Sequence, residues 1–312
     1  MTLKKTGVLN AIAVFVRMGT SLVLNKIMAR FIGPSGYAFF GQFQNVLNIL
    51  SGIAGGAVFH GVTKLTAQHF DDEFQQHGVW KTAVRFSLIS SLCAGLSLVI
   101  WRNQISQWLF HGIDMANELF WLGLVLPAVA INNSLLAIAN GKKEVGLFFV
   151  SNISGSIISM IVSGTLILGY GLKGALYALI INSVMVLLPT IILIVRCQWF
   201  NACFLWGRIQ SSELRELAGF GLMALTSAIA VPLTTIGIRS FLILHLGLKA
   251  AGYWQAVSGI SGIYLMFAST PLSVYYLPRL AEIKTARELK SEIFSVYRTV
   301  LPLAIIGAGA IF

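Results

Sequence analysis

Apolar residues in this chain fall in long blocks, with none of the period-two alternation that marks half-buried strands. Nine blocks stand out, at 7–31, 39–62, 84–101, 119–139, 145–170, 174–195, 217–246, 251–277 and 300–312. Each of the first eight approaches or exceeds the roughly 20 residues that an α-helix needs to cross about 30 Å of hydrocarbon. The ninth has 13 residues, which rise only about 20 Å. The pattern predicts an all-α polytopic membrane protein of eight spanning helices and a ninth cut short.

The blocks also repeat. Gly33-Pro34-Ser35-Gly36-Tyr37 is followed 27 residues after Tyr37 by Lys64-Leu65, and the run from Gly247 to Gly252-Tyr253 is followed 26 residues after Tyr253 by Arg279-Leu280. Each pair sets a Gly-containing turn after an odd-numbered helix and a basic residue at the far end of the next. Helices one and two thus correspond to helices seven and eight. Six helices separate the copies, so the repeats are parallel, related by an axis along the membrane normal. The expected organisation is a first lobe over 1–195 with six helices, a cytoplasmic linker over 196–216, and a second lobe over 217–312. That second lobe is incomplete here, holding helices seven to nine with the last one cut. Transporters place substrate in the cavity between such repeats.

Composition agrees with a lipid-facing chain: 56% hydrophobic and only 11% charged residues, with a mean hydropathy of +0.81, leave too little polar sequence to cover a soluble domain of 312 residues. The net charge of +11 carries no dense basic cluster, zinc-finger pattern or RNA-binding signature, so nucleic acid is not the expected partner. Topology explains the charge better. With the N-terminus in the cytoplasm, fifteen Lys and Arg lie on that side, against Arg30, Arg102, Lys173 and Lys249 on the other, a positive-inside bias. The first block is long, interrupted by cations and lacks a small-residue cleavage site, so no removable signal peptide is expected.

Three cations break the apolar blocks. Arg17 and Lys26 lie in the first and Arg239 in the seventh, whereas the Asp and Glu residues fall in loops or at block ends. A charge inside the bilayer is retained where it faces water or an anion. Arg17 lies 13 residues from Lys4, too deep to snorkel easily to either surface. Lys26 and Arg239 are shallower. With no acid inside a helix to pair them, a phosphate ligand is the simplest counter-charge, since guanidinium binds phosphate oxygens through a fixed fork. Arg17 and Arg239 are accordingly expected to face one shared cavity.

Polar stripes accompany the cations. Gly41, Asn45, Asn48, Gly52 and Gly55 or Gly56 recur at helical spacing in the second block, and Gln255, Ser258, Gly259, Ser261 and Gly262 lie in the eighth. Such stripes serve either close helix packing and interhelical hydrogen bonds or hydrogen bonding to sugar hydroxyls and water. Cys93, Cys197 and Cys203 match no zinc or disulfide pattern, and the five histidines suggest no catalytic centre, although His60 and His245 sit near helix ends, where a proton-sensitive role is the alternative to a structural one. No metal or cofactor is called for. The external connection from Arg102 to Glu118 holds only Asp114, Glu118 and His111 as ionisable groups besides Arg102, which disfavours an enzyme.

The stretch from Phe31 to Gln68, with Ile32-Gly33-Pro34-Ser35-Gly36 and Phe59-His60-Gly61-Val62-Thr63-Lys64, resembles the Wzx family of O-antigen and enterobacterial common antigen flippases. So does the stretch from Gly252-Tyr253-Trp254-Gln255 through Ser273-Val274-Tyr275-Tyr276-Leu277-Pro278. That family belongs to the multidrug/oligosaccharidyl-lipid/polysaccharide exporter superfamily. The resemblance implies a two-lobed, V-shaped transporter of the bacterial inner membrane that moves an undecaprenyl-pyrophosphate-linked oligosaccharide, such as lipid III, by alternating access. It also implies that Arg17, Lys26 and Arg239 engage the pyrophosphate-linked glycan; the polar stripes add Asn45, Asn48 and Gln255 as candidate contacts. Membrane lipids, a polysaccharide polymerase and a chain-length regulator are the partners it suggests. One departure is Gly262, near which the family pattern carries an acidic residue. A cation-drug antiporter of the same superfamily would need a buried carboxylate, and a structural component of an export complex is the remaining alternative.

Overall fold

The computed structural model describes residues 3–271, except 56–57, 71, 111–112 and 202–210. Among these residues the regular structure is helical, without strands. The first block forms α1 (Leu3–Phe31). The second is not one helix. It divides into α2 (Gly33–Ile53) and α3 (Phe59–Gln68), interrupted at Gly55, whose φ of 111° favours glycine over residues with a Cβ. Contact reinforces that preference, because a Cβ there would lie 2.6 Å from Ser87 Oγ.

The third block extends well beyond its apolar part, as α4 (Glu73–Ile100). Its start is set by Asp72, which accepts a hydrogen bond from the Gln75 N–H at 3.0 Å, a side-chain cap for one of the free donors of the first turn. The external connection that follows contains a helix absent from the apolar pattern, α5 (Arg102–Phe110). Next comes α6 (Ala116–Gly141). Glu118, expected in the loop, instead lies buried in the first turn of α6, where the helix dipole favours an anion. α4 and α6 approach closely, since a Cβ on Gly95 would lie 2.5 Å from the Gly123 carbonyl oxygen.

The fifth and sixth blocks form α7 (Val145–Met185), a hairpin of two helical arms that meet at Gly171 (φ 57°, ψ −128°), and α8 (Leu187–Val195). The arms face each other: Asn182 Nδ2 donates to Ser163 Oγ at 2.8 Å, and Gly155 lies against Val186. The chain then enters α9 (Ser211–Leu246) and α10 (Leu248–Pro271), joined at Gly247. The end of the eighth block and all of the ninth lie outside the described residues.

Among the described residues, five stretches are long and apolar enough to cross a membrane, and one of them, Gly146–Val195, contains the Gly171 turn. α2 is not among them. Its residues from Gly36 to Phe43 are all buried, because α2 is enclosed by α9, α10, α7, α4 and α1. Phe39, Phe43 and Val46 of α2 join Phe110, Leu119, Leu122, Leu176, Ile180 and Ile236 in the largest core cluster. Phe15, Leu22, Leu222 and Leu244 point outward, as suits a surface against lipid. Helix association in that solvent rests on close packing and interhelical hydrogen bonds, which explains why glycines and buried amides mark the contacts of α2.

Candidate functional site

α1, α2, both arms of α7, and α10 line a half-open cavity of about 340 Å³. Helical spacing selects its walls. From α1 come Arg17, Ser21 and Asn25, four residues apart; from α2 come Tyr37, Phe40 and Gln44. Ser159, Ser163 and Ile167 line it from the first arm of α7, with Leu179 and Asn182 from the second. α10 closes it with Gln255, Gly259 and Gly262. Among the described residues, Arg17 is the one charged side chain of this lining, and no carboxylate belongs to it.

Arg239 is placed differently. It is 1% exposed and does not line the cavity. Its Nη1 donates to Gln42 Oε1 of α2 at 2.6 Å, its Nη2 donates to Gln255 Oε1 of α10, and its guanidinium carbon lies 5.6 Å from the Trp254 ring centroid. Nε has no partner. Gly41 gives the space for this arrangement: a Cβ there would lie 2.5 Å from Gln255 Cδ and 2.8 Å from Arg239 Nη2. Arg239 is therefore a clasp between α2, α9 and α10, and neutral carbonyl dipoles take the place of a counter-ion.

The expected single cavity shared by two arginines is thus resolved into one arginine that lines it and one that sits behind its wall, with Gln255 touching both environments. Lys26 is exposed and lies outside the lining. Asn45 is buried with Nδ2 unpartnered, whereas Asn48, three residues on, is exposed. Gly52 of the same stripe abuts Ala228 of α9, where an added Cβ would lie 2.8 Å from the Ala228 Cβ. The α2 stripe therefore packs helices at its glycines.

Sequence reasoning missed Asn25, Tyr37, Gln42, Ser163 and Asn182. For Asn25 a signal existed, as Arg17, Ser21 and Asn25 share one helical face. For Gln42 none did, since it lies beside the stripe and is matched to Arg239 only by the fold. Gly262, singled out for its missing carboxylate, lines the cavity.

The described residues form a multi-pass helical bundle around a polar cavity, the architecture of a membrane transporter. Comparison with known proteins makes this specific. Residues 27–306 match the family described as polysaccharide biosynthesis protein, and the chain belongs to that family. It is 30% identical over 302 residues to the lipid III flippase of Escherichia coli, covering 97% of this chain and 73% of that protein; the lipid III flippase of Shigella flexneri matches equally. Among solved structures, a multidrug resistance MATE family transporter of the MOP superfamily in its inward-facing conformation aligns with a TM-score of 0.66 at 17% identity, over 96% of this chain and 74% of that one. The MATE multidrug transporter DinF-BH aligns with a TM-score of 0.69 at 16% identity, over 99% and 71%. Likeness at this identity speaks for the fold, which is that of the MATE transporters.

Proposed function

We propose that this protein flips an undecaprenyl-pyrophosphate-linked oligosaccharide from the cytoplasmic to the periplasmic leaflet of the bacterial inner membrane, with Arg17 as the cation that receives the pyrophosphate. The observation that carries the assignment of Arg17 is its position as the one charge on a polar, carboxylate-free cavity wall. A guanidinium there offers forked donors to phosphate oxygens, while hydroxyl and amide groups from α1, α2, α7 and α10 suit sugar hydroxyls. The flippase relatives support the substrate class.

Movement is by alternating access between a first lobe over 1–195 and a second from 217 onward, joined by the linker 196–216. The basic residues on the N-terminal side of the membrane support a cytoplasmic N-terminus. The protein is a translocase with no covalent step to catalyse, and a polysaccharide polymerase and a chain-length regulator act with it. A cation-drug antiporter, which shares the fold, is disfavoured by a cavity wall of cationic sign.

The test is export in cells lacking their own flippase. Arg17→Ala abolishes it, and Arg17→Lys keeps part of it, because the charge remains while the fork is lost. Normal export by Arg17→Ala at equal membrane abundance removes the assignment.

A further inference from the structure

The clasp that buries Arg239 also sets the polarity of the cavity wall. Arginine has only donors, so the Gln255 atom that meets Nη2 is the carbonyl oxygen. With Oε1 committed to the buried guanidinium, the amide nitrogen of Gln255 and its two hydrogens are left for the cavity that Gln255 lines. A second amide is oriented in the same sense. The Tyr37 hydroxyl donates to Asn25 Oδ1, which leaves the Asn25 NH2 group on a residue that also lines the cavity.

Gly259 brings the two amides to one locality. It lies four residues from Gln255 on α10, and a Cβ on it would be 3.7 Å from Asn25 Oδ1 and 3.8 Å from both Asn25 Nδ2 and Tyr37 Oη. Asn25 in turn lies eight residues from Arg17 on the same face of α1. Ser163 Oγ already accepts from Asn182, so its hydroxyl proton is also available to donate. Asn182 Oδ1 is an acceptor in this region, but it is buried and unpartnered. Among the described residues, two lining amides thus have their acceptors engaged within the protein and their donors unengaged, in the same cavity as the one lining charge and, for Asn25, about two helical turns from it.

We infer that Gln255 and Asn25 bind phosphate oxygens together with Arg17, and that Arg239 and Tyr37 are positioning residues that hold the two amides donor-outward. This rests on the reading of Arg17 given above and extends it: an all-donor set selects a phosphate oxyanion over an uncharged or cationic head group. Reversing the amide polarity with little change in shape should therefore weaken recognition without dismantling the clasp.

The experiment measures binding of farnesyl pyrophosphate, farnesyl monophosphate and farnesol to the purified full chain in detergent, by calorimetry, with thermal unfolding in parallel. Gln255→Glu still accepts from Arg239, and Asn25→Asp still accepts from Tyr37, yet each replaces an NH2 group by an oxygen. Each should weaken farnesyl pyrophosphate by about tenfold or more, since hydrogen bonds to charged groups are worth about 1.5–3 kcal/mol, with farnesol and the melting temperature unchanged or the latter raised. Gln255→Leu removes the donors without adding charge but also takes the Oε1 acceptor from Arg239; Asn25→Ala, which leaves that clasp intact, is measured beside it, and weaker pyrophosphate binding by both separates lost donation from new repulsion. Arg239→Lys, which still donates to Oε1, should keep the preference for pyrophosphate over farnesol, and Arg239→Met should lose it. The monophosphate arm identifies whether one phosphate group suffices for the donor set.

If Gln255→Glu, Gln255→Leu and Asn25→Asp bind farnesyl pyrophosphate as tightly as wild type while Arg17→Ala does not, the donor-set inference is overturned and the Arg17 reading stands. If wild type itself shows no preference for the phosphorylated lipids over farnesol, both fail.

Discussion

Arg17 on α1 and Arg239 on α9 look alike as cations set in apolar blocks, yet their surroundings are opposite. α1 turns Arg17, Ser21 and Asn25 to a cavity, so the charge can stay hydrated until an anion takes the place of water. α9 presses Arg239 against α2 at Gly41, where Gln42, Gln255 and Trp254 surround it. Removing a cation from water costs several kcal/mol, and two carbonyl dipoles and an aromatic face offset part of that. The lesson is that an intramembrane arginine without an acidic partner does not by itself imply a ligand, because amide oxygens can satisfy it.

The contrast predicts separate signatures. Arg239→Ala should have the largest effect on stability, about 3 kcal/mol, because the buried Gln42 carbonyl loses its donor at roughly 1–3 kcal/mol and the half-buried Gln255 carbonyl loses a charged partner as well; unfolding in detergent measures it. An unchanged melting point would mean that the clasp is dispensable. Arg17→Ala should show the reverse pattern, with the melting point held and farnesyl pyrophosphate affinity down about 10- to 100-fold, the worth of a charged hydrogen bond or fork. A fall in stability with unchanged affinity would reverse the roles given to the two residues.

Gly41→Ala sharpens the clasp side of the comparison. Its Cβ would lie 2.5 Å from Gln255 Cδ, and overpacking of this kind costs about 1–3 kcal/mol, here eased because the crowded groups are ends of flexible side chains. Unfolding should therefore show a smaller loss than for Arg239→Ala, accompanied by a weaker preference for pyrophosphate over farnesol. Lys26→Ala should do least. Its side chain is exposed and outside the lining, so stability should stay within about 0.5 kcal/mol and affinity within about twofold. A large loss of affinity would bring Lys26 back to the binding surface.

Much of the helix order was legible because block length against bilayer thickness is a one-dimensional quantity. The exceptions are instructive. The break at Gly55 lies inside an apolar run, where composition does not distinguish a continuous helix from two, and the decision comes from the contact with Ser87 across α4. α5 was invisible because its nine residues are polar enough to read as loop. At the site, the chemistry of Arg17 could be read from depth and charge alone. The role of Gln42 could not, because its meeting with Arg239 spans 197 positions and leaves no local pattern.

The sequence by itself determined that the chain is a helical membrane protein with cations inside its apolar blocks, since lipid demands helices whose backbone groups are paired internally and penalises charge wherever it lies. Only the tertiary structure decided which of those cations lines a cavity and which is sealed behind it. The physical reason is that solvation belongs to the assembled surface: whether an arginine meets water, a carbonyl oxygen or a ring depends on which helix faces pack together. A three-residue polar stripe on one helix is compatible with each outcome until its neighbours are in place.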